Sequence, residues 1–385
     1  MTIYLDHAAT TPINAQALDA LNEQIKKLGN ASSVHNQGRA VRKDVEDARH
    51  KLSELIGSVP SEIIFTASGT EANNLALKGF YWKSGKKLIV TSNFEHHAVL
   101  DPVEWLANHQ GAEVIYIPVK SDGYIDLDFL KKVVSERGNE IAVISIMHSN
   151  NELGSIQPIS QVVEIAGDIP VHTDAVQSFG KVEFNFDSLG VSAATISAHK
   201  LGGPLGVAAL VLKHGIDLAP LLHGGGQERE IRSGTINAPG IVAFARAAEI
   251  AISNREENFK KIRVLRDQLI SGIKRVVPDA IINSPVDPAL PGVVNISIPG
   301  TESDALLLLL DSEGISASAG SACSAGVPRP SHVLVAMGIP EELADASLRI
   351  SIGATNTSSE IDQVISVLPA VVERARNAFA VGKSS

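Results

Sequence analysis

The chain has 385 residues, 44% hydrophobic and 20% charged, which is typical of a globular protein with room for one large and one smaller domain. Its formal net charge of -10 argues against nucleic acid as a partner, because nucleic acid is bound by basic surfaces. The longest leucine run, residues 306–310, is far too short to cross a bilayer, and the first residues lack a signal-peptide pattern, so we expect a cytoplasmic protein without a membrane partner.

Short apolar runs rich in β-branched residues alternate with stretches of helical periodicity through the first half of the chain. The apolar runs predict seven strands, at residues 63–66, 87–91, 113–118, 141–147, 170–173, 194–197 and 207–212. Crossover helices are predicted at residues 37–56, 71–83 and 99–109. This alternation predicts an α/β fold with a mostly parallel seven-stranded sheet covered by helices.

Residues 239–278 contain few helix breakers and form a stretch longer than a typical globular helix. We place a domain boundary inside this stretch. The strand predicted at residues 292–298 and the helix predicted at 304–312 then belong to a smaller α+β domain. The predicted division is a large domain of residues 14–256 and a small domain of residues 1–13 and 257–385.

The only cysteine, Cys323, lies in a run of small residues from Ser318 to Gly326. A free cysteine is often a buried small hydrophobe, but no bulky apolar neighbour within three positions is present to pack against this one. The flanking residues therefore predict a thiol presented on a loop. A single cysteine also excludes an internal disulfide and a multi-cysteine metal site, and we predict no metal.

Polar residues follow three of the predicted strands, where ligands bind in open α/β sheets. The small-residue turn at 66–71 opens a helix and offers backbone N–H groups to an anion. Asp174 and Gln177 follow the strand at 170–173, and Lys200 follows the strand at 194–197 and precedes a glycine-rich loop. Read alone, the turn and Asp174 are equally typical of helix caps, and Lys200 is typical of a surface lysine. Together they are the groups needed to hold the phosphate, ring nitrogen and aldehyde of pyridoxal phosphate.

Ordered motifs along nearly the whole chain resemble those of the cysteine desulfurases of the iron-sulfur and nitrogen-fixation type, within the class V aminotransferase group. The motifs lie at residues 6–12, 29–35, 95–100, 150–154, 157–158, 174–177, 197–200, 224–235, 318–326, 330–334 and 348–351. The resemblance implies a fold-type I pyridoxal-phosphate transferase that converts L-cysteine to L-alanine. The sulfur would pass to Cys323 as a persulfide.

The resemblance also implies roles for individual residues. Lys200 would carry the cofactor and move the Cα proton, Asp174 would meet the ring nitrogen, and Gln177 would contact the phenolic oxygen. His96 would stack on the ring. The phosphate would be held by Gly69, Thr70, Ser197 and His199, with Thr235 reaching it from the second subunit of a homodimer.

On the substrate side, the resemblance implies that Asn151 and Arg349 bind the carboxylate of L-cysteine, and Asn151 also lies beside the cofactor. Either His96 or the bound substrate would deprotonate Cys323, and the sequence does not decide between them. The spacing from Cys323 to residues 330–332 resembles the longer-loop group, which implies an iron-sulfur scaffold protein as sulfur acceptor.

Two departures from the family pattern concern the phosphate turn at residues 66–71 and Ala354, which stands where an arginine is frequent. Neither removes a catalytic group. Three alternatives to a desulfurase stay open at this point: an aminotransferase, a selenocysteine lyase, and a noncatalytic partner-binding scaffold. An aminotransferase needs no thiol, and a scaffold has no use for Lys200, Asp174 and Cys323 together.

Overall fold

The computed structural model describes residues 2–320 and 330–382. Cys323 lies outside the described residues. The strands are β1 (Ile3–Tyr4), β2 (Ile63–Thr66), β3 (Leu88–Ser92), β4 (Glu113–Ile117), β5 (Ile141–Ser145), β6 (Val171–Asp174), β7 (Ala193–Ser197), β8 (Ala208–Leu212), β9 (Ile281–Ile282), β10 (Val293–Ser297), β11 (Ile315–Ser316) and β12 (Ser347–Ser351).

The α-helices of the same described ranges are α1 (Ala15–Ile25), α2 (Asn36–Ile56), α3 (Gly69–Ser84), α4 (His97–Gln110), α5 (Leu127–Arg137), α6 (Ile159–Ala166), α7 (Phe186–Leu189), α8 (Ala238–Ser253), α9 (Arg255–Val276), α10 (Ser303–Ser312), α11 (His332–Ala336), α12 (Glu341–Asp345) and α13 (Ser358–Gly382). Short 3-10 turns occupy Pro60–Glu62, Gly138–Glu140 and Ala198–Lys200. Among these helices none is long and apolar enough to cross a membrane.

A seven-stranded sheet in the order β2-β8-β7-β6-β5-β3-β4 forms the centre of the large part of the molecule. Only β8 runs antiparallel to its neighbours, β7 and β2. All seven predicted apolar runs form this sheet, so the prediction of a mostly parallel seven-stranded α/β fold is confirmed. The central strands are buried along their whole length, as expected where helices cover both faces.

Polar caps set where the helices begin. The Ser68 side chain accepts a hydrogen bond from the Glu71 N–H at 3.1 Å and starts α3 directly after β2. Helix α2 ends at Gly57, whose φ of 72° is left-handed and whose absent Cβ leaves room for the side chain of Asn185. The Ser68 cap thereby fixes the N-terminus of α3 at the C-terminal edge of the sheet.

The predicted long helical stretch is two helices, α8 and α9, separated at Asn254. Beyond them, β12, β10 and β9 form an antiparallel sheet, and a second apolar cluster packs residues of α9, α10 and α13 against it. The N-terminal segment joins this region, because β1 pairs in parallel with β11 and Asp6 pairs with Ser351. The division at residues 13/14 and 256/257 stays a prediction.

Candidate active site

A cavity of about 370 Å³ opens at the C-terminal ends of β3, β5, β6 and β7, beside the first turn of α3 and against β12. A volume of this size is in the range of small-molecule sites. Its lining includes every described residue of the predicted site except Thr235, namely Gly69, Thr70, His96, Asn151, Asp174, Gln177, Ser197, His199, Lys200 and Arg349.

Asp174 is the last residue of β6 and is 7% exposed. Its Oδ2 accepts a hydrogen bond from Asn73 Nδ2 at 2.7 Å, and its Oδ1 accepts one from the Val176 N–H at 3.0 Å. Two neutral donors therefore fix the carboxylate without cancelling its charge. The sequence analysis missed Asn73, although it lies one helical turn after Gly69 and so on the same face of α3.

Lys200 ends the 3-10 turn that follows β7. Its Nζ donates hydrogen bonds to the carbonyl oxygens of Ala8 at 2.7 Å and Ala9 at 2.6 Å. Burial, aided by the positive charge of Arg349, lowers the pKa of this amine to about 8, while Asp174 and Asp6 oppose the shift. A larger share of the amine is therefore neutral near neutral pH than for a surface lysine.

His96 is the N-cap of α4, and its Nδ1 accepts a hydrogen bond from the Ala98 N–H at 3.0 Å. Because Nδ1 accepts, the proton of the neutral ring sits on Nε2. Burial lowers the pKa of this imidazole against the opposing charge of Asp174. His96 therefore has one nitrogen, Nε2, with which to exchange protons.

The first turn of α3 forms another part of the cavity lining. A Cβ added at Gly69 would lie 3.1 Å from Val176 Cγ2 and 3.8 Å from the Cβ of Ser197, so the backbone approaches the neighbouring strand ends closely. The N–H groups of a helix's first turn have no partner within the helix, and they attract anions. Anion donors and a carboxylate that line one cavity match the phosphate and the ring nitrogen of pyridoxal phosphate, so the donor set fits this cofactor.

Arg349 lies on β12, and its side chain is largely buried. Its Nη2 donates to Asp6 Oδ1 at 2.9 Å, and its Nη1 donates to the Asn151 carbonyl oxygen at 3.3 Å. Nε has no hydrogen-bond partner among the described residues. The guanidinium is thus held in place with one nitrogen unused. The sequence analysis missed Asp6 as its partner, because the two residues are 343 positions apart.

Two buried carboxyls next to the cavity were also missed, Glu95 and Glu152. Burial raises the pKa of both, that of Glu95 well above its usual value. Ser331 Oγ donates to Glu152 Oε2, and a Cβ at Gly320 would lie 2.2 Å from the same oxygen. His332 Nε2 lies 2.9 Å from the Glu95 carbonyl oxygen. The described residues on both sides of 321–329 therefore lie against this cavity.

Thr235 lies elsewhere in its own chain, where it lines two smaller cavities, one of them beside Thr66 and Ala67. Its segment is fastened by two ion pairs. Glu228 forms a two-pronged pair with Arg49, both contacts at 2.8 Å, and Arg232 pairs with Glu71 at 2.7 Å. The segment is therefore anchored next to the turn that opens α3.

Fold and cavity together define an α/β enzyme with a lysine and a fixed carboxylate at its sheet edge. The aminotransferase class-V family model matches residues 3–364. The chain is 45% identical, over 97% of both chains, to an "IscS-like cysteine desulfurase" of Mycobacterium tuberculosis. A solved "NIFS-LIKE PROTEIN" superposes with a TM-score of 0.90 at 37% identity, over 97% of this chain and 100% of that one. A structure described as "SspA in complex with cysteine" matches with a TM-score of 0.80 at 32% identity, over 92% and 100%.

The chain therefore belongs to the class-V aminotransferase family, within its cysteine desulfurases of the IscS and NifS type. This membership confirms the resemblance seen in the sequence. Enzymes of the family depend on pyridoxal phosphate.

Proposed function

We propose that this protein is a pyridoxal-phosphate-dependent cysteine desulfurase that converts L-cysteine to L-alanine and passes the sulfur through Cys323 to an acceptor. The observation that carries the proposal is the single cavity in which Lys200, with its lowered pKa, and the fixed carboxylate of Asp174 lie together with Arg349. Lysine and aspartate are suited to the cofactor, and arginine is suited to an amino-acid carboxylate.

Lys200 would hold the cofactor through its amine, with Asp174 at the ring nitrogen, Gln177 at the phenolic oxygen and His96 on the ring face. Gly69, Thr70, Ser197 and His199 would hold the phosphate. When bound, pyridoxal phosphate supplies an electron-accepting ring beside the Cα of the substrate. Burial, with the nearby charges of Lys200 and Lys181, lowers the pKa of His199 to about 4, so its ring is neutral and one nitrogen can donate to phosphate.

Arg349 and Asn151 would bind the carboxylate of L-cysteine. Asp6 accepts from Nη2 and the Asn151 carbonyl oxygen accepts from Nη1, so the guanidinium is oriented before the substrate binds. A guanidinium that is already oriented loses little side-chain entropy when the carboxylate arrives. The displaced Lys200 amine and His96 Nε2 are the groups placed to move protons at Cα and at sulfur.

Cys323 would attack the substrate sulfur as a thiolate, so that a sulfur–sulfur bond forms, the substrate Cβ–S bond breaks, and Cβ takes up a proton to give alanine. Gly320 and His332, on either side of residues 321–329, both line the cavity.

The test is the release of alanine and sulfide from L-cysteine in the presence of a reductant, comparing the wild type with Cys323→Ala. We expect equal amounts of both products from the wild type and neither from the variant, whose yellow cofactor absorbance should remain. Ser324→Ala is the matched control and should behave as the wild type. Full activity of Cys323→Ala would point to a lyase or transaminase, and a protein that stays colourless with added cofactor would contradict the whole assignment.

The homodimer and the contribution of Thr235 across its interface are part of the proposal. Support comes from the position of Thr235 outside the Lys200 cavity of its own chain. Mixed dimers of Lys200→Ala and Thr235→Val test it. If Thr235 acts across the interface, each mixed dimer regains one intact site and activity returns on mixing. If Thr235 acts within its own chain, mixing restores nothing.

An iron-sulfur scaffold protein is the proposed acceptor, and the cytoplasm is the proposed location. The acceptor proposal rests on the resemblance of the spacing between Cys323 and His332 to the longer-loop group. Transfer of labelled sulfur from the persulfide-loaded enzyme to a purified scaffold protein checks it. Release of the label only to small thiols would contradict it.

A further inference from the structure

A second lysine, Lys181, lies outside the Lys200 cavity and forms a hydrogen bond with Gln177, which lines that cavity. Lys181 Nζ donates a hydrogen bond to Gln177 Oε1 at 3.0 Å, and Gln177 Nε2 donates to the Ala8 carbonyl oxygen at 2.8 Å. The same carbonyl accepts from Lys200 Nζ at 2.7 Å. Lys181, Gln177, Ala8 and Lys200 therefore form one continuous chain of hydrogen bonds.

The chemistry of these groups allows the Gln177 amide only one orientation. When it is protonated, Lys181 is a donor without acceptor atoms and therefore favours the amide oxygen facing it. A carbonyl is only an acceptor, so the amide nitrogen must face Ala8. The reversed amide would set an N–H group against the ammonium and two oxygens against each other, and both contacts repel. The second N–H of Nε2 is then the atom left to donate within the cavity.

Lys181 does not line the Lys200 cavity but a neighbouring one of about 460 Å³, which shares Ala8 and Lys200 with it. No carboxylate among the described residues lies within ion-pair distance of its Nζ. The charge of Lys181 interacts with four titratable groups: Lys200, Arg349, His7 and His199. Burial and the two cations among these lower the pKa of Lys181 to about 7.

A lysine kept in partly buried, cationic surroundings without an acid partner contributes little to stability. Its one side-chain hydrogen bond among the described residues is to Gln177, a residue of the site. Lys181 does not line the Lys200 cavity, so this hydrogen bond is its direct link to the cavity lining. The role that fits is control of the Gln177 amide.

We propose that Lys181 is a positioning residue that orients the Gln177 amide so that Nε2 donates to the phenolic oxygen of the cofactor. This inference rests on the proposed function, because it requires the cofactor in the Lys200 cavity. A donated hydrogen bond stabilises the ionised oxygen and so lowers the pH at which the cofactor-loaded protein changes its visible absorbance.

The experiment is a pH titration of the visible absorbance of the resting, cofactor-loaded protein. We expect Lys181→Met to raise the midpoint by about one pH unit and Lys181→Arg to restore it, because the arginine also donates. Lys78→Met is the matched control, since Lys78 is partly buried too but lies over the Trp105 ring. It should leave the midpoint unchanged.

The double variant separates orientation from simple charge. If Lys181 acts through Gln177, Lys181→Met in a Gln177→Ala background adds no further shift. An equal shift in both backgrounds would mean that the charge acts directly and would overturn the inference, as would the absence of any shift in Lys181→Met. Lys181→Leu, which also lacks a donor, replaces the methionine variant if that one fails to fold. Absence of a visible band in the wild type would instead refute the proposed function, and this inference with it.

Discussion

Two sides of the cavity hold their charged groups in different ways. The sheet side consists of Gly69, Thr70, His96, Asp174, Gln177, Ser197, His199 and Lys200, which follow strands of the large sheet or begin helices there. The Arg349 side consists of Arg349 on β12, Asp6 and Asn151. On the sheet side neutral donors and carbonyls position the charges, whereas on the Arg349 side an ion pair joins distant segments.

The difference has a functional consequence. Sheet register fixes where the sheet-side residues leave their strands, although Lys200 and Gln177 also donate to carbonyl oxygens of the N-terminal segment. The Arg349 side depends on how the N-terminal segment and β12 pack against the large sheet. We therefore expect substitutions on the sheet side to remove cofactor chemistry, and substitutions on the Arg349 side to weaken L-cysteine binding while the cofactor stays bound.

The largest effect is expected at Asp174. Asp174→Asn keeps the shape of the side chain but removes its charge. Its amide N–H group would also face the N–H group of Asn73 that donates to Asp174 Oδ2. Alanine formation should fall about 10²- to 10⁴-fold, with an altered visible spectrum. Asp126→Asn, at the N-cap of α5, is the matched control and should have no effect. A wild-type spectrum and rate for Asp174→Asn would remove Asp174 from the cofactor site.

The buried pair of Arg49 and Glu228 extends the sheet side to the segment that carries Thr235. Arg49→Met leaves a carboxylate buried without its cation, which should lower the free energy of unfolding by about 3–5 kcal/mol. Urea denaturation measures the change. Arg49→Met with Glu228→Gln should recover part of the loss, because the neutral side chain still accepts from the Phe65 N–H. If the double variant loses as much free energy of unfolding as Arg49→Met alone, the effect comes from lost packing and not from the unpaired carboxylate.

On the other side, Arg349→Lys should raise the KM for L-cysteine and lower kcat/KM about 10- to 100-fold, since one ammonium cannot replace a guanidinium that binds Asp6 and the substrate together. The visible spectrum of the resting protein should not change. Steady-state kinetics and absorbance on one preparation check both points. Arg376→Lys, at an exposed ion pair with Asp279, is the control. Loss of the cofactor from Arg349→Lys would show that Arg349 is needed for cofactor binding. The functional difference expected between the two sides would then be wrong.

The smallest effect concerns Glu95, a buried carboxyl next to the cavity. Its carboxyl keeps its proton in the folded protein at pH values where the unfolded chain has lost it, because burial raises its folded pKa. Its contribution to stability therefore falls as pH rises above about 4.5. Glu95→Gln does not titrate and keeps an acceptor for the Met147 N–H.

The stability of Glu95→Gln relative to the wild type should thus increase with pH between acid and neutral conditions. Urea denaturation at several pH values, with equal cofactor concentrations, measures this difference. A difference independent of pH would show that Glu95 is ionised in the folded protein. Glu95→Ala, which leaves the Met147 N–H unpaired, should be destabilised at every pH.

The strand-end residues of the sheet side were predictable because they follow local patterns, whereas His96, Ser197 and His199 entered only through the family resemblance. The strand at Ile63–Thr66 has the predicted bounds, and Asp174 and Lys200 lie at strand ends where apolar runs stop. Parallel strands bring such ends to one edge, so local pattern was enough to predict that these residues meet.

The remaining partners were not predictable in the same way. Asp6 is 343 positions from Arg349, and the direction of β8 depends on pairing with β2 and β7 rather than on its own residues. Lys181 follows Gln177 by four residues, but nothing in a turn sequence shows where a long side chain bends. Contacts set by tertiary packing leave no periodic signal in the chain.

The central claim is that Lys200, rather than another lysine near the cavity, carries the cofactor. Borohydride reduction fixes the carbon–nitrogen bond between lysine and cofactor, and peptide mass spectrometry of the digested protein then locates the label. The account predicts one labelled peptide containing Lys200 and none containing Lys181 or Lys78. A label on Lys181, or no lysine labelled in the yellow protein, would contradict it.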